Sequence, residues 1–116
     1  MNSRSTFRRR NKYGAVKVQA DGFTFDSKAE YARYQQLKLL EKAGKIGPIT
    51  VHPKYDINPW GKKICVVELD FSYHDYERAE VFEDVKGADT ALSRLKRKLV
   101  EGQYGFKVTV IKKVKR

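Results

Sequence analysis

Apolar residues along the chain fall into short alternating runs, interrupted twice by stretches of helical period. Residues 15–18 and 23–25 are short strand-like runs, and Ala20-Asp21-Gly22 between them suits a hairpin turn. Asp26-Ser27 then opens a helix predicted to run to about residue 43. Ser27-x-x-Glu30 has the form of a capping box, and Gly44 suits a helix stop. At about 100° per residue, Ala29, Tyr34, Leu37 and Leu40 fall on one arc, which should face the core. Three strand-like runs follow. Residues 49–57 contain Pro53, which marks an edge or a bulge. Residues 63–73 (KICVVELDFSY) read as one long strand with Cys65, Val67, Leu69, Phe71 and Tyr73 on a single face. Residues 79–86 (AEVFEDVK) come next, after the short polar connection His74-Asp75-Tyr76-Glu77-Arg78. A second helix is predicted from about residue 89 to 101, with Leu92, Leu95 and Leu99 as its buried stripe and Gly102 and Gly105 at its exit. Residues 106–111 alternate and form the last strand. From 80 to 111 the order is strand–helix–strand, which favours a parallel pair crossed over by the helix. The predicted class is therefore α/β (α+β): a short β-hairpin, then helix, three strands, helix and strand, with a mixed sheet.

Composition narrows the setting. At 116 residues the chain has the size of one domain with one modest core. The expected division is a disordered basic arm (1–13), a single domain (14–111) and a basic tail (112–116). No apolar run approaches the roughly 20 residues of a membrane span, so no membrane partner is expected. The opening MNSRSTFRRRNKYG has no apolar stretch after it and does not read as a secretory signal. A single cysteine, Cys65, excludes an internal disulfide framework and a cysteine-built zinc site. His52 and His74 are too few for a histidine-rich metal site; both read as structural, His52 before Pro53 in an edge strand and His74 at a hairpin shoulder. A reducing, cytoplasmic setting is the expectation.

Charge adds the first functional signal. The formal net charge is +11, and its placement is uneven. Residues 1–19 hold six basic side chains and no acid, and residues 107–116 hold five and no acid, so the body between carries 14 of each sign. Basic ends on a neutral body suit a polyanion, most simply nucleic acid, whose phosphates release counterions when neutralised. A solubilising surface is the plainer alternative.

The acids inside strands need a reason, because Asp is depleted there. Asp70 should point opposite Leu69 and Phe71, while Asp84 and Lys86 share a face with Phe82 and Glu83 points the other way. If the two strands pair across 74–78, Asp70 and the Asp84/Lys86 pair converge. Two close carboxylates repel, and a divalent cation relieves that repulsion; oxygen-only ligation suits magnesium. Glu30, in the middle of the helical arc, points inward and could add a third acid. Each residue also has a plainer role: Glu30 as the closing member of a capping box, Asp70 on a wet sheet face beside Glu68 and Ser72, Asp84 and Lys86 as a surface ion pair.

Glu30 on the first helix, Asp70 in a strand, then Asp84-x-Lys86 in the next strand, with a helix and strand after it, resembles the PD-(D/E)XK nuclease superfamily. More narrowly, KYGA (12–15), FDSKAEYARY (25–34), EDVKG (83–87) and RLKRKL (94–99) resemble a family of small phage-encoded proteins within that superfamily, a likeness spanning most of the chain. The resemblance implies a restriction-endonuclease-like core and makes Glu30, Asp70, Asp84 and Lys86 the catalytic set. The pattern departs at Leu69, where the superfamily often has proline; Glu83 rivals Asp84 for the second strand position but lies on the wrong face. Small members include Holliday-junction resolvases, homodimers that cut branched DNA with magnesium. A phage origin would put the protein in the host cell cytoplasm.

The expected chemistry is phosphodiester hydrolysis by a metal-dependent endodeoxyribonuclease. Asp70, Asp84 and the Val85 carbonyl would hold Mg2+, with Glu30 helping directly or through water and Mn2+ able to substitute. Lys86 would orient the water or stabilise developing charge. A 5′-phosphate product is implied by the resemblance alone. Arg8, Arg9, Arg10, Lys12, Lys112 and Lys113 at the two ends, and Arg94, Lys96, Arg97 and Lys98 on the second helix, are the candidate DNA contacts. Arg94, Arg97 and Lys98 should lie away from the leucine stripe and Lys96 at its border. Trp60, in Asn58-Pro59-Trp60-Gly61, is expected to pack within the domain rather than against DNA or a partner. So small a chain favours reading DNA shape, such as a branch, and symmetrical cutting of a four-way junction calls for a homodimer. The alternatives are another phage nuclease of this fold, nicking or packaging-associated, acting on duplex DNA, and a non-catalytic nucleic-acid-binding protein.

Overall fold

In the computed structural model, which describes residues 16–112, the chain opens on the expected hairpin. Strand β1 (Val18–Ala20) pairs antiparallel with β2 (Phe23–Phe25) around Asp21 and Gly22, whose φ values of 54° and 82° make a tight two-residue turn. Helix α1 (Lys28–Lys42) follows. Ser27 caps it, accepting the Glu30 N–H at 3.1 Å, and Glu30, Tyr34 and Leu37 are its buried side chains. Leu40, expected on the same arc, is left 37% exposed one turn beyond the last buried position.

The two longest predicted strands are each broken, and at matching places. Residues 49–57 divide into β3 (Thr50–Val51) and β4 (Lys54–Ile57) at His52-Pro53. Residues 63–73 divide into β5 (Cys65–Glu68) and β6 (Phe71–His74) at Leu69-Asp70. The antiparallel register runs on through the break: Val51 faces Phe71 and Lys54 faces Glu68, so the corner lies where His52-Pro53 opposes Leu69-Asp70. The cause is local. His52 adopts a left-handed conformation (φ 57°), and Pro53 has no N–H to give a ladder. The expectation of one apolar face from Cys65 to Tyr73 is corrected accordingly. Val67 and Leu69 join one core cluster, Phe71 and Tyr73 another.

Beyond β7 (Glu80–Lys86) come α2 (Ala91–Tyr104) and β8 (Val108–Lys112). The main sheet has the order β3-β6-β7-β8, with β6–β7 antiparallel and β7–β8 parallel across α2, and β4-β5 forms a separate two-stranded sheet. The architecture is α+β with two helices and a mixed sheet among the described residues. One core cluster (Phe25, Tyr34, Leu37, Phe71, Tyr73) lies under α1 and the hairpin. The other (Ile57, Val67, Leu69, Phe82, Val100) lies under α2, with Cys65 and Leu99 at its edge. No helix of the described residues is long and apolar enough to cross a membrane. The arm 1–13 and the tail beyond Lys112, with Arg8, Arg9, Arg10, Lys12 and Lys113, lie outside the described residues.

The leucine stripe proposed for α2 is also corrected. Leu92 and Leu95 are 59% and 53% exposed, whereas Val100 is fully buried. Ser93, Lys96, Arg97 and Val100 recur at helical spacing and form the inward side. The helix is rotated because its inner face must cover charged groups on β7 as well as apolar ones. Trp60, at 83% exposure, does not pack within the domain; it sits at the outer turn between β4 and β5. Leu69→Ala should therefore cost about 2–5 kcal/mol and Leu95→Ala no more than about 0.5 kcal/mol, measured by urea unfolding. The reverse ranking would restore the leucine stripe as core.

Candidate functional site

The corner in the β3–β4 and β5–β6 hairpin makes a fork. β6 stays on β7, while β5 turns away and pairs only with β4. The last β6–β7 rung joins Phe71 to Glu83. Past that rung, the edge of β7 at Val85 has lost its neighbour on this side. Asp70 sits in the fork and replaces it. Its N–H donates to the Glu83 carbonyl (3.1 Å), its carbonyl accepts from the His52 N–H (2.9 Å), and its carboxylate Oδ2 accepts from the Val85 N–H (2.6 Å). The Val85 carbonyl shares an edge of β7 with its N–H, because the two groups of an extended residue point the same way. It therefore faces the fork.

Glu30 reaches the fork from the first turn of α1 and is only 2% exposed. Its Oε1 accepts from the Asp26 N–H at 2.7 Å, and its Oε2 lies 2.8 Å from His52 Nε2. The capping-box role and the inward role thus coexist, with the side chain reaching Asp26 rather than Ser27. Ligand-type atoms of Glu30, His52 and Asp70 all lie within 4.8 Å of one another. His52, expected to be structural, belongs to this cluster. On its other side, Nδ1 is 3.7 Å from Glu68 Oε2. Pairing residues 49–57 against 63–73 in antiparallel register would have set His52 opposite Asp70; the spacing of histidines along the chain carries no such signal.

Asp84 and Lys86 occupy the adjoining flank, on the α2 side of β7. Asp84 is 5% exposed, and its Oδ2 lies 3.4 Å from Lys86 Nζ and 3.6 Å from Arg97 Nη1. A cavity of about 300 Å³ opens here, lined by Glu68, Asp84, Lys86, Ser93, Lys96 and Arg97. Arg97 is a correction: expected away from the stripe as a DNA contact, it faces inward and is held by Asp89 at 2.7 and 3.0 Å. That pairing pushes the Asp89 carboxyl below, and the Arg97 guanidinium above, their ordinary ranges. Lys96 lines the cavity, and Arg94 and Lys98 are exposed on the outer face of α2. Lys112 ends β8, paired in register with Lys86.

Glu83 points to the opposite side of β7, as its parity required. It is 1% exposed and held by Arg33 of α1 at 2.7 and 2.9 Å and by the Tyr73 hydroxyl. Its oxygens are committed to that network, which leaves Asp84 as the β7 acid facing the cavity.

Burial pushes the Asp70 carboxyl up to about 9, and the nearby Glu30 and Asp84 carboxylates add to it, while the Val85 N–H opposes the shift. Asp70 therefore keeps its proton near neutral pH. Among the described residues, the ligand-type atoms that could together hold a cation are those of Glu30, His52 and Asp70; Asp84, expected from the sequence to be a ligand, is not among them and stands on the adjoining flank.

A family model described as "Protein of unknown function (DUF1064)" matches residues 10–116. The chain belongs to this family. No curated protein and no solved structure matches it. The match takes in Glu30, His52, Asp70, Asp84 and Lys86 together, so the whole fork lies within the DUF1064 region.

The Asp70 shift fixes the sign of a pH effect. Its folded value of about 9 stands above the ordinary 3.8, so the folded protein binds the proton that the unfolded chain releases between them. The stability is fully present below the lower value and is lost as the pH rises through the upper one. Without metal, the melting temperature of the DUF1064 chain should fall from about pH 5 to about pH 9, and Asp70→Asn should flatten that slope. A melting temperature that rises across the window in calorimetry would contradict this environment for Asp70.

Proposed function

We propose that the protein is a metal-dependent DNA endonuclease of the PD-(D/E)XK type, acting on branched DNA as a Holliday-junction resolvase. The observation that carries this reading is the meeting of Glu30 and Asp70 at a strand fork whose other flank presents Asp84 and Lys86 to an open cavity. The order of the described elements, with α1 before the forked strands and β7, α2 and β8 after them, matches the order of that superfamily's core and supports the assignment. The basic excess outside a neutral body supports DNA as substrate.

In this reading Asp70 and Glu30, with Asp84 and the Val85 carbonyl, hold a divalent ion, Mg2+ with Mn2+ able to substitute. When bound, that ion supplies a water of lowered pKa and polarises a phosphate oxygen. The chain's own residues do the rest. Lys86 lies 3.4 Å from Asp84 and stabilises negative charge developing on the phosphate. Arg97, fixed by Asp89 at the cavity wall, neutralises charge there without needing to reorganise. Lys96, Arg94, Lys98 and Lys112 steer the sugar–phosphate backbone toward the cavity. A four-way junction cut symmetrically needs two such sites related by a two-fold axis, and therefore a homodimer.

Purified protein should be offered labelled four-way junction, linear duplex and single strand, with and without magnesium. The wild type should cut the junction only with the ion, and should cut it in preference to the other two. Asp84→Asn should still bind the junction while cutting at least about a hundredfold more slowly, and Lys86→Ala should lose about a hundred- to a thousandfold. Equal binding of all three without cleavage would leave a nucleic-acid-binding protein. Equal cleavage of all three would leave a nuclease of the same fold with another target.

A further inference from the structure

We infer that His52 is a metal ligand and makes the ion site favour a first-row transition-metal divalent ion, with manganese as the probe, over magnesium. The inference rests on the metal-site reading above and extends it from which acids bind to which ion they prefer.

Three observations carry it. The imidazole Nε2 lies 2.8 Å from Glu30 Oε2, and both atoms fall within 4.8 Å of a ligand oxygen of Asp70. The Nε2–Oε2 contact is a hydrogen bond, and a cation taken up between the two atoms would replace the proton they share. The other ring nitrogen also faces a carboxylate. Nδ1 is 3.7 Å from Glu68 Oε2, so a second carboxylate stands on the far side of the ring, where the outer partner of a metal-bound imidazole belongs. The third observation is the backbone. His52 is held at φ 57° by its N–H bond to the Asp70 carbonyl, and that conformation is what sets its ring between Glu30 and Glu68.

The consequence is chemical selectivity. Magnesium prefers an all-oxygen shell with retained waters, whereas first-row transition-metal ions, manganese included, accept an imidazole nitrogen among carboxylates more readily. The carboxylates taken alone imply magnesium; the histidine between them shifts the balance.

The full-length protein should be titrated with Mn2+ and with Mg2+ by calorimetry, and the manganese form examined by electron spin echo envelope modulation. Wild type should bind manganese more tightly by about tenfold or more and show nitrogen-14 coupling from a directly bound imidazole. His52→Asn suits the positive φ, and should lower manganese affinity by about tenfold or more while leaving magnesium within about twofold. Bound manganese without nitrogen coupling overturns the inference while the metal-site reading stands, and needs no variant to fold. An equal loss of both ions in His52→Asn also overturns it, reducing His52 to a support for Glu30. Binding of neither ion by wild type overturns the metal-site reading as well.

Discussion

The bond from the Val85 N–H to the Asp70 carboxylate, 2.6 Å long, is the contact on which the geometry of this protein turns. A buried backbone donor left without a partner is costly, and a strand that forks away from its neighbour creates one at the first rung past the fork. Here the side chain of the residue at the fork supplies the missing acceptor. That single substitution of side chain for strand lets β5 swing to β4 while β6 stays on β7. It also fixes one Asp70 oxygen, which is why the carboxylate lies beside Glu30 instead of in solvent. The branch point of the fold and the candidate site are thus one structure.

Adjacent acids on β7 show how parity divides labour. Glu83 turns toward α1, where Arg33 grips it in two places and Tyr73 adds a third contact, so its charge is balanced and its oxygens are committed. A two-point guanidinium pair of this kind is directional as well as strong, and it pins α1 to β7 one turn from Glu30. Asp84 turns toward α2, where Lys86 and Arg97 stand at 3.4 and 3.6 Å, beyond ordinary hydrogen-bond reach. One acid is locked in the framework and the next remains available, and the only difference between them is the alternation of a strand.

Much of this was legible in the chain, and the limits have physical causes. The hairpin at Asp21-Gly22, the capped helix, the polar turn after His74 and the parallel β7–β8 pair follow from local residue chemistry and connection length. The opposite facing of Glu83 and Asp84 follows from parity alone. The break at Leu69-Asp70 was hidden, because apolar and polar residues alternate without interruption from Val67 to Tyr73, and Asp70 alone does not mark a corner. Its cause lies across the ladder at His52-Pro53, and only the pairing register brings the two together. The α2 face was misjudged for a related reason. Leu92, Leu95 and Leu99 form a convincing apolar stripe, but the surface beneath the helix carries Asp84, so Arg97 and Lys96 turn inward and two of the leucines turn out. His52 was missed because a lone histidine acquires meaning only from what the fold sets beside it.

A framework built for stability alone would not contain this fork. Glu30 and Asp84 are almost fully buried, and burial of Asp70, with both of those carboxylates near it, drives its carboxyl up to about 9. Apolar residues of similar size would relieve that repulsion, since replacing buried charge by well-packed side chains is commonly neutral or stabilising. Nor does the arrangement serve surface attraction to a polyanion, because acids at the mouth of a basic cavity oppose it. Strain of this kind, a left-handed histidine included, is held by the surrounding structure and gathers at functional sites. A cation between the carboxylates would relieve the repulsion, spare Asp70 its proton and leave Lys86 and Arg97 free to face a phosphate. The same groups that weaken the protein on its own become mutually favourable once an ion and a nucleic-acid backbone are counted, which favours a catalytic site over a passive binding surface.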